Sequence, residues 1–144
     1  MRHSLKSGCG GVLRDYLGNW IVGFHKSIGV CQSDIAEQWA LLEGLQIAWD
    51  VGTRKVVVES DAQQVIGLLL DASYNSGSNL LLRLRSLLAM DWEVNFRVIP
   101  RDINRVTDAL AKMGISNSGF HNVCPMYLRT WVAQEYLGFI SPYV

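Results

Sequence analysis

The sharpest change in the pattern of apolar and polar residues lies between positions 55 and 70. The β-branched run Val56–Val58 leads into Ser60 and Asp61, and apolar residues then recur with helical spacing up to Leu70. This pattern predicts a strand, a sharp turn and a helix. Because ligands gather at the carboxyl ends of sheet strands in α/β proteins, Asp61 is a candidate site residue. An aspartate that caps the helix would explain the same position.

Segments on both sides of this unit also have regular periodicity. The pattern predicts strands at residues 8–14, 19–25 and 92–98 and helices at residues 33–51, 80–89 and 104–113. A short connection that closes with Gly18 makes the first two strands a hairpin. Strict alternation in the third indicates a half-buried strand whose Glu93, Asn95 and Arg97 face water.

The last thirty residues follow a different pattern. Aromatic side chains recur there at irregular spacing, at Phe120, Tyr127, Trp131, Tyr136 and Phe139. We therefore divide the chain into one folded domain at residues 1–114 and an aromatic-rich extension at residues 115–144. We expect the extension to be partly helical and to pack either on the domain or on a protein partner.

Composition restricts the class of protein. At 144 residues the chain fits one compact domain. Thirteen basic and thirteen acidic residues give a formal net charge of zero, so nucleic-acid binding must rest on a local patch. No apolar run is long enough to span a membrane. Three widely spaced cysteines without a metal-binding pattern favour reduced thiols and a nuclear or cytoplasmic location.

Three acidic residues stand where chemistry could use them: Glu37 in the first helix, Asp61 after the strand and Asp108 in the last helix. Glu37 also has the capping-box spacing from Asp34, and a solvated helix face would account for Asp108. Should the three acids meet, a divalent cation must offset their repulsion, and carboxylate oxygens suit Mg²⁺ or Mn²⁺. Such a cluster favours metal-assisted phosphoryl chemistry.

Basic residues near the Asp108 helix are candidates for phosphate contacts. Arg101 and Arg105 flank the loop that leads into this helix, and Arg14 and Lys26 are further candidates. Charged residues are also commonly just solvated, and the pattern leaves both interpretations open.

Four motifs follow one another at suitable spacing. They are Gly-Gly-Val-Leu-Arg-Asp at 10–15, Ala-Glu-x-x-Ala-Leu at 36–41, Val-Glu-Ser-Asp at 58–61 and Asn-Arg-Val-x-Asp at 104–108. Each motif is weak alone, but the ordered set resembles the type 1 ribonuclease H family. More narrowly, it resembles the plant domains related to the ribonuclease H part of retroelement reverse transcriptases.

The resemblance implies an α/β fold, with a mixed five-stranded sheet flanked by helices, and an endonuclease that hydrolyses the RNA strand of RNA–DNA hybrids. It makes Glu37, Asp61 and Asp108 catalytic residues and metal ligands, among four carboxylates that hold two Mg²⁺ or Mn²⁺ ions. Gln63 falls where a polar side chain reaches the minor groove of the hybrid. Together with Arg101 and Arg105 it completes the predicted nucleic-acid-binding set. We expect a monomer.

The chain departs from the family pattern at its start. The family's first catalytic aspartate lies on a strand ahead of the hairpin, in the middle of the sheet, whereas residues 1–7 contain no acid. We therefore expect a truncated first strand; either residues 1–7 fill part of its place or the chain is unstable alone. Three functions stay open: a ribonuclease impaired by the missing aspartate, an inactive retroelement-derived domain that binds nucleic acid, and an interaction module that uses the aromatic extension.

Overall fold

The computed structural model describes residues 6–74, 78–100, 102, 105–122 and 141–143 of the protein. The strands are β1 (Lys6–Arg14), β2 (Trp20–Val30), β3 (Lys55–Ser60), β4 (Glu93–Val98), β5 (Gly119–His121) and β6 (Ser141–Tyr143). The helices are α1 (Ser33–Asp50), α2 (Gln63–Leu70), α3 (Asn79–Leu88) and α4 (Arg105–Gly114). Each strand and helix predicted before residue 115 is present, and β5 and β6 are strands that the pattern did not predict.

The β1–β2 hairpin turns on Asp15 and Gly18. The Asp15 carboxylate accepts hydrogen bonds from the backbone N–H groups of Leu17 at 2.9 Å and Asn19 at 2.8 Å. Gly18 has a φ of 83°, a conformation that glycine adopts without steric cost. Because the turn fixes the register of the hairpin, it also decides which β1 side chains face each side of the sheet.

All six strands belong to one mixed sheet with the order β4-β3-β6-β1-β2-β5. Strands β1, β2 and β5 form an antiparallel group, whereas β3 and β4 are parallel. Strand β6 lies between the two groups, antiparallel to β1 and parallel to β3. The expected α/β fold with a mixed sheet is confirmed, with six described strands instead of five.

The centre of the sheet is filled from the aromatic extension. Lys6 and Ser7 pair with Val30 and Gly29 of β2, so these two residues do not fill the central place. Ser141–Tyr143 take that place instead. Residues 1–5 and 123–140 lie outside the described part of the chain, and the helix predicted within the extension stays a prediction there.

Alternate residues of β1 pack on opposite faces of the sheet. Cys9 and Leu13 join a large cluster of buried hydrophobic side chains from α1, α2 and α3. Val12 joins a second cluster with Val106 and Leu110 of α4. Helices α1, α2 and α3 therefore cover one face of the sheet, and α4 covers the other.

Helix α4 lies very close to β1 and β2 because glycines face it. A Cβ atom added to Gly10 would lie 2.6 Å from the backbone nitrogen of Ala111, and one added to Gly114 would lie 2.5 Å from the carbonyl oxygen of Lys26. Both distances are shorter than any ordinary carbon contact. The close approach fixes α4, and with it Asp108, against the sheet.

The alternation predicted for β4 is confirmed. Glu93, Asn95 and Arg97 are exposed, whereas Val94 and Phe96 pack against the large hydrophobic cluster. No helix within the described ranges is both long enough and apolar enough to cross a membrane.

Candidate active site

Asp61 lies in the turn between β3 and α2. Two local hydrogen bonds hold the turn: the Ser60 hydroxyl accepts from the Ala62 N–H at 3.1 Å, and the Asp61 carbonyl accepts from the Gln63 N–H at 2.9 Å. Helix α2 has Ala62 at its N-cap, so Asp61 lies one residue before the N-cap position.

Glu37 lies half-buried near the start of α1. The helix has Gln32 at its N-cap, without a side-chain cap hydrogen bond, so Asp34 is already inside the first turn. A capping box between Asp34 and Glu37 is therefore not formed. Leu41 and Leu45, fully buried further along the helix, hold α1 against the sheet and so fix the position of Glu37.

Asp108 lies in α4, and its carboxylate is 3.2 Å from the Lys112 ammonium one turn later. The Asp108 side chain is 34% exposed. Its neighbour Thr107 is buried, and the Thr107 hydroxyl has no hydrogen-bond partner among the described residues. Asp108 therefore forms an ordinary surface ion pair, and it follows in sequence a residue whose hydroxyl oxygen is buried.

These three acids line one cavity of about 190 Å³. They come from three separate elements: α1, the turn after β3, and α4. The hydroxyl-bearing residues of the same wall are Ser33, Ser60 and Thr107, and Gly8, Cys9 and Gly10 contribute the β1 side. The fold brings together the acids that the sequence singled out.

Gln63 borders a second, more open depression. Glu37 and Asp61 line this depression too, together with Val98, Ile99 and Pro100. Gln63 is exposed at the first position of α2. The predicted groove-reading side chain therefore lies next to two of the three acids.

The basic candidates have different placements. Arg105 is exposed at the first position of α4, whereas Arg101 lies outside the described residues and stays a prediction. Arg14 is 2% exposed, so a phosphate contact for it is wrong. The Lys26 ammonium pairs with the Glu43 carboxylate at 2.6 Å and lies over the Trp39 ring.

Cys9 is a cavity residue that the sequence reasoning missed. Burial, and then the negative charge of Glu43, raise the pKa of the Cys9 thiol to about 12. The thiol therefore stays protonated at neutral pH, which argues against a role as a nucleophile. The alternation of β1 could have placed Cys9 at this depth, but it gave no signal that the residue borders the acids.

The donor set has the chemistry that hard divalent cations prefer, since all three acids offer oxygen ligands. Within the described residues, however, no three acidic, histidine or cysteine side chains converge closely enough to hold a metal ion as they stand. The oxygen atoms of these residues are of the type that binds such an ion. Their side chains would have to move closer together to coordinate one.

Solved structures define the class of this fold. RNase H1 from the halophilic archaeon Halobacterium salinarum superposes with a TM-score of 0.70 at 26% identity, over 81% of this chain and 91% of that one. The N-terminal RNase H domain of a Mycobacterium tuberculosis protein, solved as a fusion with maltose-binding protein, gives a TM-score of 0.57 at 17% identity. That match covers 78% of this chain and 92% of the other. The protein is a ribonuclease H-like domain.

The family follows from the sequence match. The reverse transcriptase-like family model matches residues 2–114, and the chain belongs to that family. An Arabidopsis thaliana relative named Putative ribonuclease H protein At1g65750 is 34% identical over 141 residues. The match includes 94% of this chain but only 23% of the relative, so this chain spans about a quarter of that protein's length.

Proposed function

We propose that this domain binds RNA–DNA hybrids and hydrolyses their RNA strand in a reaction that needs a divalent cation. One observation carries the proposal: Glu37, Asp61 and Asp108, from three separate elements, line the same cavity. The names of the H. salinarum structure and of the Arabidopsis relative agree with this reaction class.

The three carboxylates would hold the cations, Mg²⁺ or Mn²⁺, which when bound supply an activated water and neutralise charge at the scissile phosphate. Gln63, exposed beside Glu37 and Asp61, would contact the minor groove of the hybrid. The 2′-hydroxyl read there distinguishes RNA from DNA. Arg105 at the start of α4, and Arg101 four residues earlier in the sequence, would bind backbone phosphates.

We propose that cleavage by the 144-residue chain is slow. The resemblance implies four carboxylates, and the cavity is lined by three in the described residues. The loss of one metal ligand commonly costs orders of magnitude in rate, because the attacking water is then poorly placed. Cys9 and Cys31 carry free thiols, which fits the proposed nuclear or cytoplasmic location.

An inactive nucleic-acid-binding domain of retroelement origin is the second candidate. The observation in its favour is that no three candidate ligands in the described residues already enclose a metal position. Such a domain would bind the hybrid through Gln63 and Arg105 and would not cut it in either metal.

The test is a cleavage assay on a hybrid with labelled RNA in Mg²⁺ and in Mn²⁺, with hybrid affinity measured separately in Ca²⁺. We expect slow cleavage that Asp61→Asn abolishes while affinity stays within about twofold, since catalysis and binding then rest on different groups. Asp91→Asn, which removes an exposed carboxylate in the turn before β4, is the matched control and should cleave normally.

The outcomes separate the candidates. Binding without cleavage, weakened by Gln63→Ala and Arg105→Ala, establishes the inactive nucleic-acid-binding domain. A chain that neither binds nor cleaves the hybrid overturns both candidates. Cleavage that survives Asp61→Asn overturns the assignment of this cavity.

A further inference from the structure

Strand β6 is the link between two groups of strands. The order β4-β3-β6-β1-β2-β5 leaves β1 and β3 without direct pairing, because Ser141–Tyr143 lie between them. Within the described part of the chain, β6 pairs with Val12, Leu13 and Arg14 on one side and with Glu59 on the other. The hydrogen-bonded continuity of the sheet therefore passes through three residues.

This link is short for its position. Strand β6 has three residues, whereas its neighbours β1 and β3 have nine and six. Its middle residue, Pro142, has no backbone N–H and cannot donate to the ladder, which is why proline is normally confined to edge strands. Few hydrogen bonds thus hold a strand that has a neighbour on each side.

The acid-lined cavity lies just past the end of β6. Tyr143 is opposite Val12 and Glu59, so a line continued along β6 runs between Gly10 on β1 and Asp61 after β3. Gly10 and Asp61 both line the cavity. Residues from α1 and α4 line it too, although these helices cover opposite faces of the sheet, so the cavity lies where β1 and β3 are no longer bridged.

The backbone pairing between the elements that carry the acids runs through β6. Asp61 follows β3, and Asp108 belongs to α4, which packs on β1 through Gly8 and Gly10. With one strand between them, β1 and β3 lie about two strand spacings apart, roughly 9.6 Å. Without that strand, no backbone pairing in the described residues would hold Asp61 and Asp108 at a set distance.

We infer that Ser141–Tyr143 is a positioning segment, a central strand that joins the two groups of the sheet and sets the spacing of Asp61 and Asp108. The joining role stands on the strand order alone, and its consequence for metal binding rests on the proposed function. In this proposal the three residues act through their backbone pairing with β1 and β3.

The test substitutes Tyr143→Pro in the full chain, because Tyr143 is paired on both sides and proline removes its N–H. Amide hydrogen exchange should become at least about tenfold faster at Val12–Arg14 and Val58–Ser60. Mn²⁺ affinity, measured by calorimetry, should fall about tenfold because the ligands lose their support. Phe120→Pro in β5, a strand of equal length at the sheet edge, is the matched control and should change neither.

A second variant serves if Tyr143→Pro does not fold. Val12 and Tyr143 are directly opposite, so Val12→Cys with Tyr143→Cys should form a disulfide under mild oxidation and raise the melting temperature. Unchanged exchange in Tyr143→Pro, or no cross-link between the paired cysteines, overturns the inference. Faster exchange in a chain that never binds Mn²⁺ supports the joining role and overturns the proposed function.

Discussion

The two faces of the sheet are built in different ways. On the face covered by α1, α2 and α3, seventeen buried hydrophobic residues of the described chain form one cluster. On the face covered by α4, the corresponding cluster has four. Buried hydrophobic side chains hold the helices on the first face. The second face has few of them, so contacts of another kind must hold α4 against the sheet.

On the α4 face, close backbone contacts and buried polar groups take the place of a large hydrophobic cluster. Gly10 and Gly114 let α4 touch the strands, and the buried Arg14, His25 and Glu59 lie on this face by strand alternation. The His25 ring bonds to His121 and to Asn117, each at 2.8 Å. Such a face tolerates little change of shape, since neither backbone contacts nor buried polar groups can be repacked easily.

This difference matters for the candidate site because its acids depend on both faces. Glu37 is placed by the hydrophobic volume under α1, and Asp108 by the close fit of α4 on β1. Stability and site geometry should therefore respond differently to changes on the two faces.

The largest expected effect is on the α1 face. Leu45→Ala should lower the free energy of unfolding by about 2–5 kcal/mol, because the fully buried Leu45 leaves a cavity in the main cluster. Urea unfolding measures the loss. Leu82→Ala, at a side chain 47% exposed on α3, should cost no more than about 0.5 kcal/mol. A loss below about 1 kcal/mol for Leu45→Ala would show that volume does not hold this face.

The α1 face was largely predictable from the sequence. Leucine and tryptophan recur every three to four residues in α1, and the β-branched run of β3 marks a buried strand, so local periodicity carries the information. The resemblance carried by the four motifs also singled out the three acids that line the cavity. Residues buried for such local reasons are the ones that pattern analysis finds.

The central strand and the α4 face were not predictable in this way. Ser141–Tyr143 have no periodic signal, pair with β1 residues from the other end of the chain, and include Pro142, which argues against a central strand. The short spacing between Gly10 and Ala111 depends on tertiary packing. The sequence makes Arg14 a surface candidate because charged residues are rarely buried, yet the fold buries it.

The next effect tests close approach on the α4 face. Gly10→Ala should cost about 1–3 kcal/mol, because its Cβ would meet backbone and side-chain atoms of Leu110 and Ala111 at 2.6 Å. Since α4 must shift to make room, Mn²⁺ affinity should fall with stability. When the two variants are compared at equal loss of stability, Leu45→Ala should lower Mn²⁺ affinity less than Gly10→Ala does.

Gly67→Ala is the matched control for Gly10→Ala. Gly67 is exposed in α2, and a Cβ atom there would meet nothing within 4 Å. The change should raise the free energy of unfolding by about 0.5–1 kcal/mol, because alanine loses less entropy on entering a helix. If Gly10→Ala and Gly67→Ala changed the free energy of unfolding in the same direction, close backbone approach would not be what holds α4 against the sheet.

A smaller effect should come from pH at the edge of the α4 face. Burial, and then the neighbouring His25, lower the pKa of His121 below its ordinary value of 6.5. The folded chain therefore binds fewer protons than the unfolded chain, so this contribution to stability is complete above pH 6.5 and declines as the pH falls below it. Urea unfolding from pH 7.5 to 5 measures the decline. His121→Gln should flatten that part of the profile, and a profile unchanged by His121→Gln would contradict the prediction.

The smallest effect concerns the Asp108–Lys112 pair, and it asks which interaction places Asp108. The pair is largely solvent-exposed, with 74% of the lysine side chain accessible, so Lys112→Gln should cost only about 0.3–0.5 kcal/mol. Salt at 1 M should erase the difference, because the screening length is then about 3 Å. Lys55→Gln, which removes a 4.0 Å contact with Glu93, is the control and should cost no more.

With its counter-charge removed, Asp108 should bind Mn²⁺ slightly more tightly, since the carboxylate is still held in place by the glycine contacts of α4. A fall in Mn²⁺ affinity in Lys112→Gln would mean that the ion pair, and not the packing of α4 on β1, sets the position of Asp108.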